Sequence, residues 1–233
     1  MKTLAIMQPY FFPYIGYWQL MDAVDIFVIL DDVNYIRNGW IHKNRISIDD
    51  REHYLINPVR GASQNKKINE LEFVCDPRYY ADMFRTLDYA YRDAAYYPQI
   101  REMMREIILF PGPNVAHYLQ NQLRCLSLAL GISTELYTSS SFRGDVHEKG
   151  QRGIIELCRY LDADIYINPI GGRTLYDKES FQEAGIDLMF LEAALETIKT
   201  RYQCKHPDYS ILDLMARYSA AEINEMLLYR NLL

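Results

Sequence analysis

TLAIMQPYFFPYIGYWQLMDAVDIFVILDD, residues 3–32, contains two short apolar runs on either side of a helix-length segment. The runs occupy residues 3–7 and 25–30, and residues 17–23 between them have a helical pattern. Short apolar runs that alternate with helices are typical of strands in a parallel sheet that is buried on both faces. The stretch therefore predicts a first βαβ unit, with a ligand site beyond the carboxyl ends of its strands.

The second half of the chain repeats this alternation. Strand patterns at 134–138, 164–168 and 187–191 alternate with helical patterns at 149–161 and 178–184. Short loops between such elements indicate further βα units. Together with the first unit, they predict roughly five parallel strands in a three-layer, Rossmann-like α/β fold that forms one domain over residues 1–233.

The middle of the chain and its end have other patterns. Residues 36–75 hold short β-rich runs between turn residues, which predicts an inserted β-rich segment beside the sheet. Residues 77–130 have the pattern of a helical excursion, which begins at the helix-start pair Asp76-Pro77. Residues 209–229 carry apolar side chains at helical spacing and predict a helical segment that packs on the sheet or on a partner chain.

Composition and charge disfavour several classes of function. The chain has 233 residues, 49% of them apolar, and a net charge of −6, which disfavours broad nucleic-acid binding through phosphates. No apolar run approaches the roughly 20 residues of a membrane span, so the sequence predicts a cytoplasmic protein. Its four cysteines form no C-x-x-C pair. The sequence therefore predicts neither a disulfide framework nor a structural metal.

The first candidate site is the aromatic loop after the first strand. Its substrate-binding candidates are Gln8, Tyr10, Tyr14, Gly16 and Tyr17. Glycine permits close backbone approach, and the start of the following helix favours an anion such as phosphate. The spacing from Tyr14 to Tyr17 matches the His-x-Gly-His of nucleotidylyltransferases, but tyrosines cannot replace cationic imidazoles at a phosphate. A proline-stiffened turn that packs its aromatic rings is the alternative.

The second candidate site follows the second strand. It consists of Asp31, Asp32, Lys43, Asn44 and Arg45, of which Asp32, Lys43 and Arg45 are the catalytic candidates. Asp32 can accept a proton from an attacking amine, bind a sugar hydroxyl or hold magnesium, while Lys43 and Arg45 can hold a diphosphate. The alternative is a helix-capping aspartate beside an exposed basic strand.

The third candidate site joins two strand ends in the second half of the chain. Hydroxyl-rich and Gly-Gly turns after parallel strands can bind phosphate through backbone N–H groups. The candidates are Ser139, Ser140, Lys149, Gly171, Gly172 and Tyr176. Plain turns are the alternative, since a lone Gly-Gly pair is weak evidence for phosphate binding. Because a parallel sheet brings its carboxyl ends to one edge, we expect all three candidate sites to meet there.

Several motifs resemble those of one bacterial family. They are QPYFFPYIGY at 8–17, AVDIFVILDD at 23–32, WIHKNR at 40–45 and LDADIYINPIGG at 161–172. This pattern is similar to the WbqC-like family of bacterial O-antigen gene clusters, and the similarity covers nearly the whole chain. The resemblance implies a role in the production of O-antigen, a part of lipopolysaccharide, with aminoacyl (glycine) transfer onto an amino sugar as the suggested activity.

The resemblance and the residues together predict a transferase that adds an acyl or aminoacyl group to a nucleotide-linked amino sugar. Two alternatives stay open. One is a nucleotide-dependent activating enzyme similar to nucleotidylyltransferases, and the other is a noncatalytic partner of a sugar-assembly enzyme. The cofactor is not fixed by the sequence, and magnesium with a nucleotide is one alternative. Formation of a homo-oligomer also stays open.

Overall fold

The computed structural model describes residues 1–142, 144, 146 and 148–233. Its strands are β1 (Thr3–Met7), β2 (Ile26–Ile29), β3 (Lys43–Ile48), β4 (Arg51–Ile56), β5 (Val59–Arg60), β6 (Glu72–Phe73), β7 (Glu135–Thr138), β8 (Ile165–Pro169), β9 (Asp187–Ala193) and β10 (Arg230–Leu232). Its α-helices are α1 (Ile15–Asp22), α2 (Pro77–Tyr91), α3 (Tyr97–Ile108), α4 (Val115–Ala129), α5 (Gly150–Tyr160), α6 (Lys178–Glu183), α7 (Leu195–Tyr202), α8 (Ile211–Arg217) and α9 (Ala220–Leu227).

The central sheet has the strand order β10-β9-β8-β1-β2-β7. All neighbours pair in parallel except β10, which runs antiparallel to β9. This confirms the predicted mostly parallel α/β fold. Starting from β1, the chain first adds β2 and β7 on one side of that strand. It then crosses over and adds β8 and β9 on the other side. Such a doubly wound sheet has its topological switch point at the carboxyl ends of β1 and β8, where ligands characteristically bind.

Both faces of the sheet are buried, which gives the fold its three layers. Along β1 and β2, alternate side chains point to opposite faces, as the two-residue period of a strand requires. Ala5 and Phe27 belong to the larger core, which includes side chains of α1 and α9. Leu4 and Ile26 belong to a second core with side chains of α5 and α6. The predicted apolar runs are therefore explained by burial on both sides.

The inserted segment and the C-terminus differ in detail from the predicted arrangement. In the described structure, β3 pairs with β4 and β5 with β6 as two separate antiparallel sheets that do not extend the central one. The predicted helical segment at 209–229 consists of two helices. Ser219 and Glu222 form a capping box that begins α9, so the segment is divided into α8 and α9, and the chain then adds β10 to the sheet.

The described residues contain neither a membrane-crossing helix nor a cluster of metal ligands. No helix in residues 1–142, 144, 146 and 148–233 combines the length and the apolar character that a membrane crossing requires. Within the same residues, no three His, Cys, Asp or Glu side chains are grouped as metal ligands would be.

Asp213 on α8 links the C-terminal part of the chain to β3. Its carboxylate accepts the Ser47 N–H at 2.9 and 3.2 Å, and the Arg217 guanidinium lies 3.7 Å away. Burial raises the pKa of Asp213 to about 7, and Arg217, the Ser47 N–H and Tyr91 only partly offset that rise. The folded protein therefore keeps this proton over a pH range in which the unfolded chain, with a carboxyl pKa of about 3.9, has lost it.

This difference predicts how stability depends on pH. Because the folded state binds the extra proton, the contribution of Asp213 to the unfolding free energy falls as pH rises from about 4 to about 7. Asp213→Asn has no charge to bury, so its unfolding free energy should not fall in this way. Between pH 4 and pH 7 we expect the stability of the variant to rise relative to that of the wild type by a few kcal/mol, at about 1.4 kcal/mol per pKa unit. Urea unfolding of both proteins at acidic and alkaline pH measures the gain. A constant difference in unfolding free energy between the two proteins at all pH values would contradict this prediction.

Candidate functional site

A cleft of about 580 Å³ opens at the switch point, beyond the carboxyl ends of β1 and β8. This volume is in the range of small-molecule sites. Its aromatic lining consists of Tyr10, Tyr14, Tyr17, Trp40 and Tyr176, and the polar lining consists of Gln8, Asn44, Arg45, Asn168 and Asp208. The lining also includes three glycines: Gly16, Gly171 and Gly172.

The aromatic loop between β1 and α1 is held by side chains of α1, β3 and α4. Asn44 donates to the carbonyls of Phe11 and Phe12 at 3.0 and 2.8 Å. Other loop carbonyls accept from the Tyr17 hydroxyl, Gln122 Nε2 and Trp18 Nε1. Phe12 needs this support because it is fully buried and has φ of +43°, in the left-handed region that non-glycine residues rarely adopt. The loop is therefore a pre-organised wall.

Tyr14 and Gly16 form the junction between this loop and α1. The Tyr14 ring lies across Gly16, so a Cβ atom at position 16 would come within 2.5 Å of the ring. No side chain caps the start of α1 at Tyr14, which leaves a helix N-terminus beside the cleft. Burial raises the pKa of the Tyr14 phenol, and Tyr10 and Asp208 raise it further, so the hydroxyl stays neutral.

Arg45 forms the wall next to this loop, where β3 meets the segment before α8. Its guanidinium carbon lies 5.3 Å from the Trp40 ring centre and 4.9 Å from that of Tyr209. Nη2 donates to Asp208 Oδ2 at 2.9 Å, and Nη1 lies 3.4 Å from Glu52 Oε2. The ring contacts and the ion pairs together fix the orientation of the guanidinium.

A third polar group comes from the end of β8. Asn168 Nδ2 donates to the Tyr166 hydroxyl at 2.8 Å, and that hydroxyl lies 3.4 Å from the hydroxyl of Tyr176. The Asn168 side chain occupies the space where a side chain at Gly172 would begin. Asn168, Tyr176 and the Gly171-Gly172 turn are therefore packed as one unit.

Asp31 and Asp32 lie outside the cleft, in a separate serine cluster at the ends of β2 and β7. The Ser139 hydroxyl, with its single proton, lies 2.6 Å from Asp32 Oδ1 and 3.0 Å from Asp31 Oδ1 and can donate to either. Ser140 donates to Asp31 through its N–H at 2.9 Å and through its hydroxyl at 2.7 Å. Lys67 Nζ lies 4.0 Å from Asp32 Oδ2. The cluster ties two neighbouring strand ends together, and none of its four acidic and serine members lines the cleft.

The two predicted lysines also lie outside the cleft lining. Lys43 Nζ sits 5.1 Å from the ring centre of Tyr54, a cation–π contact on the β3–β4 hairpin. Lys149 is exposed at the start of α5. Thus the structure gathers Gln8, Tyr10, Tyr14, Gly16, Tyr17, Asn44, Arg45, Gly171, Gly172 and Tyr176 around the cleft. It places Asp31, Asp32, Lys43, Ser139, Ser140 and Lys149 elsewhere.

Sequence reasoning missed three polar or aromatic residues of the cleft: Trp40, Asn168 and Asp208. A signal existed for Asn168, because it ends a predicted strand just before the Gly-Gly turn. Trp40 belongs to the motif WIHKNR, of which only Lys43, Asn44 and Arg45 are candidate site residues in the sequence analysis. Asp208 stands in an irregular segment between α7 and α8, where no periodicity or motif marks it.

Fold and cleft together define a doubly wound α/β protein with a small-molecule-sized cleft at its switch point. The chain belongs to the WbqC-like protein family, whose model matches residues 8–225, and this confirms the resemblance seen in the motifs. It is also 27% identical over 224 residues to the uncharacterized protein Rv1507c of Mycobacterium tuberculosis, a match that covers 94% of this chain and 95% of that protein. No solved structure matches the chain significantly.

Proposed function

We propose that the protein is a transferase that binds a nucleotide-linked amino sugar in the cleft and adds an acyl or aminoacyl group to its amine. The observation that carries this proposal is the composition of the switch-point cleft. Five aromatic rings and the amides of Gln8, Asn44 and Asn168 line it. Flat aromatic faces stack on sugar rings and bases, and amides can donate to and accept from hydroxyl groups.

The phosphate groups of such a substrate fit two backbone features of the cleft better than they fit Arg45. Gly16 brings the uncapped start of α1 to the lining, and Gly171 and Gly172 bring a backbone turn. Both features suit an anion. Arg45 already faces the carboxylates of Asp208 and Glu52, so this group carries a net negative charge. We therefore assign the diphosphate to the backbone N–H groups of these two features, and treat the role predicted for Arg45 and Lys43 as the alternative.

The transfer step requires one proton acceptor. The neutral amine nitrogen attacks the carbonyl carbon of an activated acyl donor, the new C–N bond forms, and the bond to the leaving group breaks. The proton that the amine loses passes to a carboxylate, which contributes roughly 10²- to 10⁴-fold to the rate in general base catalysis. Asp32, the acceptor predicted from the sequence, lies outside the cleft, whereas Asp208 is the carboxylate among the described residues that line it, so we assign the proton to Asp208.

One observation favours a second candidate function, the activation of an acyl group by a nucleotide. The segment Tyr14 to Tyr17 follows the first strand at the switch point of a doubly wound sheet, the position of His-x-Gly-His in nucleotidylyltransferases. The two histidines are replaced by tyrosines, and the Tyr14 phenol is neutral. At these two positions, an activating enzyme would therefore lack the cations that the two imidazoles provide.

ATP consumption and nucleotide-sugar binding separate the candidates. The purified protein is assayed for magnesium-dependent ATP hydrolysis or pyrophosphate release with and without glycine, and for binding of UDP- and dTDP-linked amino sugars by calorimetry. We expect sugar binding without ATP consumption, as in a transferase that uses a preactivated donor. Glycine-dependent ATP consumption would instead establish activation. Absence of both would contradict both proposals and favour a noncatalytic partner protein.

A further inference from the structure

We propose that Asp208 is the specificity-determining residue of the cleft and binds the ammonium group of the substrate, so that the site prefers an amino sugar over the matching hydroxyl sugar. This inference rests on the proposed function and assigns one contact within it. Among the described residues that line the cleft, Asp208 is the one carboxylate. An ammonium needs an acceptor of this kind, because the tyrosines and amides offer only neutral oxygens.

The carboxylate is held in place for such a contact. Asp208 Oδ2 accepts from Arg45 Nη2 at 2.9 Å, and the Asp208 backbone carbonyl accepts from the same nitrogen at 3.2 Å. Arg45 is in turn fixed between Trp40 and Tyr209. The side chain of Asp208 is nevertheless 44% exposed, and within the described part of the chain no hydrogen bond to Oδ1 is present. One oxygen is therefore positioned by the protein and the other is available to a ligand.

The surrounding charges also favour a cation at this position. The Arg45 guanidinium is shared between Asp208 and Glu52, which leaves the group with an excess of negative charge. The charge of Asp208 also reaches the adjoining wall, because it contributes to the raised pKa of Tyr14. A phosphate at this end of the cleft would be repelled, whereas an ammonium would be attracted.

Two probes that differ at one functional group test the inference. UDP-glucosamine and UDP-glucose are titrated into the wild-type protein, Asp208→Asn and Glu52→Gln by calorimetry, at a pH where the amine is protonated. The wild type should bind UDP-glucosamine about tenfold more tightly, as expected for one charge-assisted contact. Asp208→Asn should lose this preference and keep its affinity for UDP-glucose, which also shows that the variant is folded. Glu52→Gln removes a charge from the same arginine outside the cleft and should keep most of the preference.

The remaining outcomes separate the inference from the proposed function. If the wild type binds both probes equally well, or Asp208→Asn keeps the preference, the role of Asp208 is wrong while a nucleotide-sugar site stands. If neither UDP sugar nor the matching dTDP pair binds, the proposed function and this inference fall together. A preference that disappears when the pH is raised above the pKa of the amine would support the ammonium contact directly.

Discussion

Asn44→Ala is expected to destabilise the protein by about 2–5 kcal/mol, a large share of the 5–15 kcal/mol that holds a typical domain together. The Asn44 side chain donates to two buried carbonyls, those of Phe11 and Phe12, and its own oxygen accepts the Arg45 N–H at 2.8 Å. Each buried carbonyl left without a donor costs about 1–3 kcal/mol. Without the amide, the backbone at Phe12 loses its hydrogen bond from β3.

Urea unfolding followed by tryptophan fluorescence measures this loss close to where it arises. The chain has two tryptophans, and both contact the loop: Trp18 Nε1 donates to the Pro13 carbonyl and the Trp40 carbonyl accepts the Phe11 N–H. Asn65→Ala is the matched control, because Asn65 is exposed in a loop and should change stability by no more than about 0.5 kcal/mol. Equal stability of the two variants would show that Asn44 does not support the loop.

The fold was largely predictable because local patterns carry it. The run at residues 3–7 is β1 residue for residue, and the apolar runs at 25–30 and 164–168 are β2 and β8 to within one residue at each end. Burial on both faces makes these strands uniformly apolar, and nothing but burial is needed to predict them. β10 was missed for the opposite reason. Its three residues, Arg230–Leu232, carry no apolar pattern, and it forms only because β9 offers an unpaired edge.

The cleft was predictable only in part, because no local sequence pattern indicates the order of the strands in the sheet. The sequence indicates that Gln8, Asp32, Ser139 and Gly171 all follow strands. It does not indicate that β8 lies beside β1 while β7 lies beyond β2. That order separates the strand ends into the cleft and the serine cluster. Asp208 could not be predicted from the sequence as a cleft residue, because its position depends on the packing of Arg45 between two aromatic rings.

Gly172→Ala is expected to weaken nucleotide-sugar binding at least tenfold and to destabilise the fold by about 1–3 kcal/mol, the usual cost of overpacking. A Cβ atom at position 172 would overlap with Asn168 Oδ1 and also approach the Tyr176 ring. Asn168 is buried and bonded to the Tyr166 hydroxyl, so it cannot move without breaking that contact. The displaced amide and the Tyr176 ring would then enter the cleft.

The neighbouring glycine provides a matched control. Gly171 lines the same cleft, but a Cβ atom there would meet nothing within 4 Å. Gly171→Ala should therefore keep its stability, measured by urea unfolding. The unfolding measurement needs no ligand, so it tests the packing of Gly172 against Asn168 even if the substrate proves to be of another class. Equal effects of the two substitutions on stability would mean that Gly172 is an ordinary turn residue and that Asn168 does not shape this end of the cleft.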